Sequence, residues 1–252
     1  MNEKKTIENE FGKFFYLPHY IALKNYLFNY RMRKNMVQSA FFNYFGRNFK
    51  KEFIIADIGP GVSPVSPVLN KTLFVELEDK AIELMKKEKL NVIKGDITKL
   101  PLKNNSINAI VCSEVLEHVP DYESGLKEIA RVLKTKGAAI ITVPIHQKYW
   151  KDDDDFVGHL RRFNPSTLHK DIESAGLKVV IRKPIGSLLE RWLTWIMIRV
   201  ARTKDISEMK DSGVSFMVYR LTNEFLFQLI RVSNLINSEN NSSIIMFVAA
   251  KN

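Results

Sequence analysis

Cysteine is nearly absent: Cys112 is the single one in 252 residues. A disulfide framework and a cysteine-based zinc cluster are therefore excluded, and the chain suits a reducing compartment. Long apolar runs are missing too. The most apolar window, Leu188 to Ala201, is too short to span a bilayer and carries Glu190, Arg191 and Arg199. The start, Met1-Asn2-Glu3-Lys4-Lys5, has no signal-peptide character, and the next apolar stretch is broken by Lys13, His19 and Lys24. These features predict a soluble, cytoplasmic protein with no integral membrane segment. There is no internal repeat and no low-complexity segment. Hydrophobic residues at 45% and charged residues at 26% exclude a disordered, collagen-like or coiled-coil chain.

The length fits one large domain with additions. Net charge is +10, and it is unevenly spread. Residues 1–52 hold 10 basic and 4 acidic residues, whereas 53–150 hold 13 and 12. Thirteen of the 27 aromatics also precede residue 53, among them Phe14, Phe15, Tyr16, Tyr20, Tyr26, Phe28, Phe41 and Phe45. A basic, aromatic segment can grip RNA or rest on an anionic surface. At helical spacing, though, aromatics are usually core, so 1–52 is expected to be a helical N-terminal cap. Its cluster Arg31, Arg33 and Lys34 is expected on a polar face.

From residue 53 the pattern changes. Short continuous apolar runs at 53–58, 72–76, 91–96, 107–112 and 138–144 read as buried strands. Helices are predicted at 79–88, at 122–133 with Gly137 as its stop signal, and at 165–175. A sixth strand is expected near 177–181 and a closing strand at 243–250. Residues 187–236 read as a helical insertion before that last strand. Strands alternating with helices predict an α/β fold: a doubly wound, mostly parallel sheet, with ligand beyond the carboxyl ends of its strands.

Asp57-Ile58-Gly59-Pro60-Gly61 follows the first strand. Glycines here let backbone approach a ligand closely. The dinucleotide fingerprint is not completed, because its last glycine position is Pro64. Glu76 ends the second strand, where a carboxylate can accept ribose hydroxyls. Gly95-Asp96 ends the third, where a carboxylate can accept from an adenine amino group. Three acids at consecutive strand ends suit a nucleoside-like ligand with a cationic centre.

These residues, with Leu100-Pro101, Asn108-Ala109-Ile110-Val111, Leu116-Glu117-His118-Val119, Arg131-Val132-Leu133-Lys134, Gly137 and Thr142-Val143-Pro144, form a pattern. It resembles the class I S-adenosylmethionine-dependent methyltransferases, and most closely the methyltransferase type 11 subgroup. The resemblance covers about 53–182. It implies a Rossmann-like seven-stranded domain over 53–252 that uses S-adenosylmethionine. It further implies that Asp57, Gly59 and Gly61 line the methionine part and that Glu76 holds the ribose. Leu77 would border the adenine, Asp96 and Ile97 would contact it, and the backbone at Cys112 and Ser113 would touch the methionine end. Two departures stand out. Ser63 replaces the usual third glycine, and Pro64 and Pro67 leave room only for a short first helix. Asn108 stands where the subgroup usually has Asp, in a position expected to be structural.

Methyl transfer needs the acceptor placed in line with water kept out. A hydroxyl acceptor also needs a base, for which His118 and His159 are the candidates. Trp192, Trp195, Met197, Phe216, Met217, Phe225 and Phe227 favour a small, hydrophobic or lipid-like acceptor. RNA methylation and an inactive cofactor-binding module are the alternatives. No metal is expected: Asp152 to Asp155 reads as a solvated run. Cys112 reads as core rather than nucleophile.

Overall fold

A computed structural model describes residues 24–203 and 214–252. Phe14, Phe15, Tyr16 and Tyr20 lie outside the described residues, as does the side chain of Met197. Seven strands make one sheet: β1 (Ile55–Ile58), β2 (Thr72–Glu76), β3 (Val92–Lys94), β4 (Ile107–Ser113), β5 (Leu133–Pro144), β6 (Lys178–Ile185) and β7 (Ile244–Ala250). Their order is β3-β2-β1-β4-β5-β7-β6. The pairs among β1 to β5 are parallel, and β7 runs antiparallel between β5 and β6. This is the doubly wound architecture that the apolar runs imply.

The runs are continuous because both faces of the sheet are covered. Side chains alternate between faces along a strand. Ala56, Ile58, Ile110, Cys112, Ile141 and Phe247 join one core with Leu126 and Ile129 of α3 (Tyr122–Val132) and Leu168 and Ile172 of α5 (Pro165–Ser174). Ile55, Ala109, Val111, Ile140, Met246 and Val248 face the other way. They pack on Phe28, Met32, Val37 and Phe41 of α1 (Phe28–Phe45) and on Phe227 and Ile230 of α7 (Val214–Ser233). A smaller cluster ties Ile82 and Met85 of α2 (Asp79–Lys87) to Phe74 and Val92.

Capping chemistry matches the helix starts. The Asp121 carboxylate accepts from the Ser124 amide at 3.1 Å. The Asn164 side chain accepts from Ser166 and Thr167, with Pro165 in the first turn. Gly137 serves a different purpose from the one expected. α3 ends at Val132 and β5 begins at once, so Gly137 lies inside the strand. A Cβ there would come within 2.8 Å of the carbonyls of Asn108 and Lys134, and the strands could not approach. Asn108 is structural, as expected: its Oδ1 accepts from the Ile54 amide at 2.9 Å and from Lys134 Nζ at 3.1 Å.

The link from β1 to β2 holds no α-helix. It carries one 3-10 turn, Leu69–Lys71. Pro60, Pro64 and Pro67 remove the amide donors that a helix there would need. The helical insertion consists of α6 (Leu188–Thr203) and α7. No helix among the described residues is long and apolar enough to cross a membrane.

Phe28, Tyr30 and Phe41 of the cap turn inward. Phe41 is fully buried, and the rings of Phe42, Phe45, Phe49 and Phe53 pack against it or its neighbours. The basic cluster is also not a free polar face. Arg31 pairs with Glu224 of α7 at 2.6 Å, and its guanidinium lies 4.1 Å from the Phe227 ring centre. Arg33 reaches Glu114 at 3.6 Å. Helical spacing predicts the buried stripe, but the acids that draw these arginines in are far away in sequence.

Candidate active site

The carboxyl ends of β1, β2, β3 and β4 lie side by side, since Ile58 is in register with Val75 and with Cys112. The turn after β1 climbs over them. Gly59 and Gly61 have φ of +63° and +57°, a region that favours glycine. A Cβ on Gly59 would come within 2.9 Å of Val115. A Cβ on Gly61 would meet nothing within 4 Å, so this backbone borders open space.

Glu76 organises the edge. One carboxylate oxygen, Oε2, accepts from the Gly61 amide at 2.9 Å. Oε1 accepts from the Leu77 amide at 2.8 Å and the Glu78 amide at 3.0 Å. A carboxylate oxygen takes about two hydrogen bonds, so Oε1 is filled and Oε2 keeps one acceptor position. Leu77 beside it is 57% exposed, an apolar surface next to a polar grip.

Asp57 lies beneath the turn, 1% exposed, and accepts from the Ser66 amide at 3.2 Å. Burial is the main force that pushes its carboxyl up to about 8, and the nearby Glu76 charge adds to this. Its folded pKa thus exceeds the unfolded value of about 3.9. The resulting stability is fully present below that value and is lost as pH rises through about 8. Glu190, pushed up to about 7 mainly by burial, acts with the same sign. We expect Asp57→Asn, an isostere of the neutral acid, to flatten the stability loss between about pH 5 and 8. Urea unfolding midpoints at the two pH values check this, and parallel curves for both proteins refute it.

Asp96 is exposed and caps its own turn: Oδ1 accepts from the amide and hydroxyl of Thr98, both at 2.8 Å. Ile97 is buried at its side. Cys112 is fully buried, and burial raises its thiol pKa well above the ordinary value, which fits a packing role. Ser113 Oγ lies 2.8 Å from Thr142 Oγ1, and that hydroxyl also donates to Glu114 at 3.0 Å.

The structure brings His118 and His159 together, their ring centres 4.9 Å apart. His118 Nδ1 lies 3.2 Å from the Gly158 carbonyl. His159 Nδ1 lies 2.7 Å from Asp154. The packed surroundings of the ring first, and His159 second, push the His118 pKa down to about 4, although the residue keeps an edge in solvent. Asp154, on the short helix α4 (Asp152–Phe156), is not a solvated member of an acidic run. It is 1% exposed and takes both of its oxygens to Arg162 Nε at 2.9 Å.

Several residues at this edge were given no site role by the sequence pattern. Tyr30 of α1 donates its hydroxyl towards the carbonyls of Ser63 and Pro64, both at 3.1 Å. Gln38 points at the carbonyls of Val65 and Ser66. The cap thereby clamps the turn whose third glycine is missing. Glu117, within the Leu116-Glu117-His118-Val119 motif, is fully buried, and neither carboxylate oxygen has a hydrogen-bond partner.

An adenosyl group fits what is present: an exposed glycine turn, one remaining acceptor position on a buried carboxylate, and an apolar shelf at Leu77. Residues 56–141 match the family model described as a methyltransferase domain. Over this segment, about a third of its length, the chain is similar to that family. An uncharacterized protein of Methanocaldococcus jannaschii is 34% identical over 135 residues, covering 52% of this chain and 57% of that protein. A chloroplastic 2-methyl-6-phytyl-1,4-hydroquinone methyltransferase of rice is 32% identical over 72 residues, 29% of this chain and 22% of the relative. The chain thus spans less than two thirds of the length of these curated relatives. An S-adenosylmethionine-dependent methyltransferase of Thermotoga maritima shares the fold, with a TM-score of 0.57 at 19% identity, covering 97% of this chain and 95% of that one.

Proposed function

We propose that the protein transfers the methyl group of S-adenosylmethionine to a small hydrophobic or amphiphilic acceptor. The observation that carries the donor half is Glu76, which anchors the Gly61 amide and keeps one acceptor position for a ribose hydroxyl. Leu77 borders the adenine, Asp96 and Ile97 contact it, and Asp57, Gly59 and Gly61 line the methionine part with the backbone of Cys112 and Ser113. The donor supplies a methyl on a cationic sulfur that departs as a neutral thioether. What remains for the chain is to place the acceptor in line and exclude water.

The acceptor half rests on α6 and α7. α6 follows the carboxyl end of β6, and its Arg191 and Trp195 lean on Tyr149 and Lys151 of the segment after β5. Trp192, Met217, Val218 and Phe225 are more than half exposed on these two helices. Such apolar surface marks a binding face. The rice relative's named acceptor, a phytyl hydroquinone, is of this amphiphilic kind. We place the acceptor's reacting end at His118 and His159, which handle its proton.

The RNA alternative keeps less support among the described residues, because Phe28, Tyr30 and Phe41 of α1 are buried and Arg31 and Arg33 are paired. Calorimetry with S-adenosylhomocysteine, followed by a labelled-methyl screen over apolar phenols, apolar alcohols and RNA, tests the reading. Label on an apolar acceptor is expected. Label on RNA alone overturns the acceptor class, and binding without transfer to any acceptor favours an inactive module.

A further inference from the structure

We propose that Glu117, His118 and His159 form a site for one divalent transition-metal ion of the zinc class. One ligand atom from each of the three residues lies within 4.8 Å of the other two. A tetrahedral ion with bonds of about 2.0–2.1 Å needs its ligands roughly 3.4 Å apart, so modest side-chain adjustment closes the cluster. Glu117 Oε1 and His159 Nε2 are already 3.7 Å apart.

Hydrogen bonding sets the ring tautomers. His159 Nδ1 faces the Asp154 carboxylate at 2.7 Å, and a carboxylate only accepts, so Nδ1 carries the proton. His118 Nδ1 faces the Gly158 carbonyl at 3.2 Å, and the same logic applies. Both Nε2 lone pairs therefore remain for a ligand. Asp154–His159 is the arrangement by which a carboxylate orients a metal-bound imidazole. Asp154 is itself fixed by the Arg162 guanidinium and the Lys151 amide.

The independent observation is Glu117. It is fully buried, both oxygens lack hydrogen bonds, and it belongs to the imidazole cluster. A buried charged carboxylate without hydrogen bonds is costly, and a cation at this point would offset that cost as protonation otherwise does. Two imidazoles and one carboxylate favour zinc, iron, cobalt or nickel over magnesium or calcium, which prefer oxygen ligands alone. A position left open on the ion would suit an acceptor oxygen, whose proton the ion would acidify; with the ion bound, the two imidazoles would be ligands and would no longer act as bases. That use rests on the function proposed above, whereas metal binding does not. The site is separate from the exposed part of the run Asp152 to Asp155, and it departs from the sequence-based expectation of no metal.

The full chain, stripped with a chelator and dialysed, is titrated with Zn²⁺ by calorimetry and with Co²⁺ by visible absorption. We expect one ion per chain, micromolar or tighter, and no displacement of Co²⁺ by excess Mg²⁺. Each of His118→Ala and Glu117→Gln is expected to weaken binding by at least about 100-fold, and Asp154→Asn by about 10–100-fold. His118 reaches solvent, so its variant keeps the test valid if the buried substitutions unfold. No uptake by folded wild-type protein, or His118→Ala binding as tightly as wild type, overturns the site. Because no methyl donor or acceptor is present, this failure is distinct from failure of the transfer reaction.

Discussion

Glu76→Ala is expected to weaken S-adenosylhomocysteine binding by about 10- to 150-fold, the equivalent of one hydrogen bond to a charged group. Two effects add in the same direction. The variant loses the acceptor position on Oε2, and it releases the Gly61 amide that sets the height of the turn. The amides of Leu77 and Glu78 lose their acceptor as well, so a fall in stability accompanies the fall in affinity. Glu76→Gln separates the two. Its carbonyl oxygen can still take the Leu77 and Glu78 amides, while its amino group meets the Gly61 N–H as a second donor. Asp96→Ala serves as the mild companion: its side chain is exposed and bonded only within its own turn, so the fold tolerates the loss. About tenfold or less is expected from it. Calorimetry on samples that melt cooperatively reads all three. Unchanged affinity in both alanine variants would remove the donor from this edge.

The parts of the molecule that were legible in the sequence share one property: they depend on neighbours close in the chain or on the period of a buried strand. β2 and the acid that ends it follow from a run of five residues, and the glycine turn announces itself by composition. The parts that were not legible depend on pairings across the chain. Arg33 reads as a solvated charge on a helix until Glu114, 81 positions later, is placed opposite it. Asp154 reads as one of four solvated acids until Arg162 and His159 fold back on it. Tyr30 reads as one more aromatic in a greasy helix, and its hydroxyl proves to hold the turn after β1. Glu117 was visible in its motif, yet only burial without a partner marks it as unusual. Gly137 shows the reverse error, in which a local rule for helix ends was overridden by the closeness of two strands.

The other large effect is structural, and it follows from the same cap. Phe41→Ala is expected to cost about 3–5 kcal/mol, because it deletes a fully buried ring from a packed cluster. The four rings of Phe42, Phe45, Phe49 and Phe53 meet Phe41 directly, and two strand residues of the sheet, Ile55 and Val111, belong to the same core. For a chain of this size, about 2–4 °C of Tm per kcal/mol puts the expected drop at roughly 6–20 °C. Differential scanning calorimetry measures it. Phe42→Ala provides the contrast: that side chain is only partly buried, so a smaller shift is expected. The loss also reaches the site. α1 carries Phe41 on the turns that follow Tyr30 and Arg33, so loosening its seat relaxes the clamp on Ser63 and Pro64. Donor affinity should therefore fall in Phe41→Ala even at temperatures where the protein is fully folded. A cap that merely decorates the domain would instead leave both Tm and affinity close to wild type.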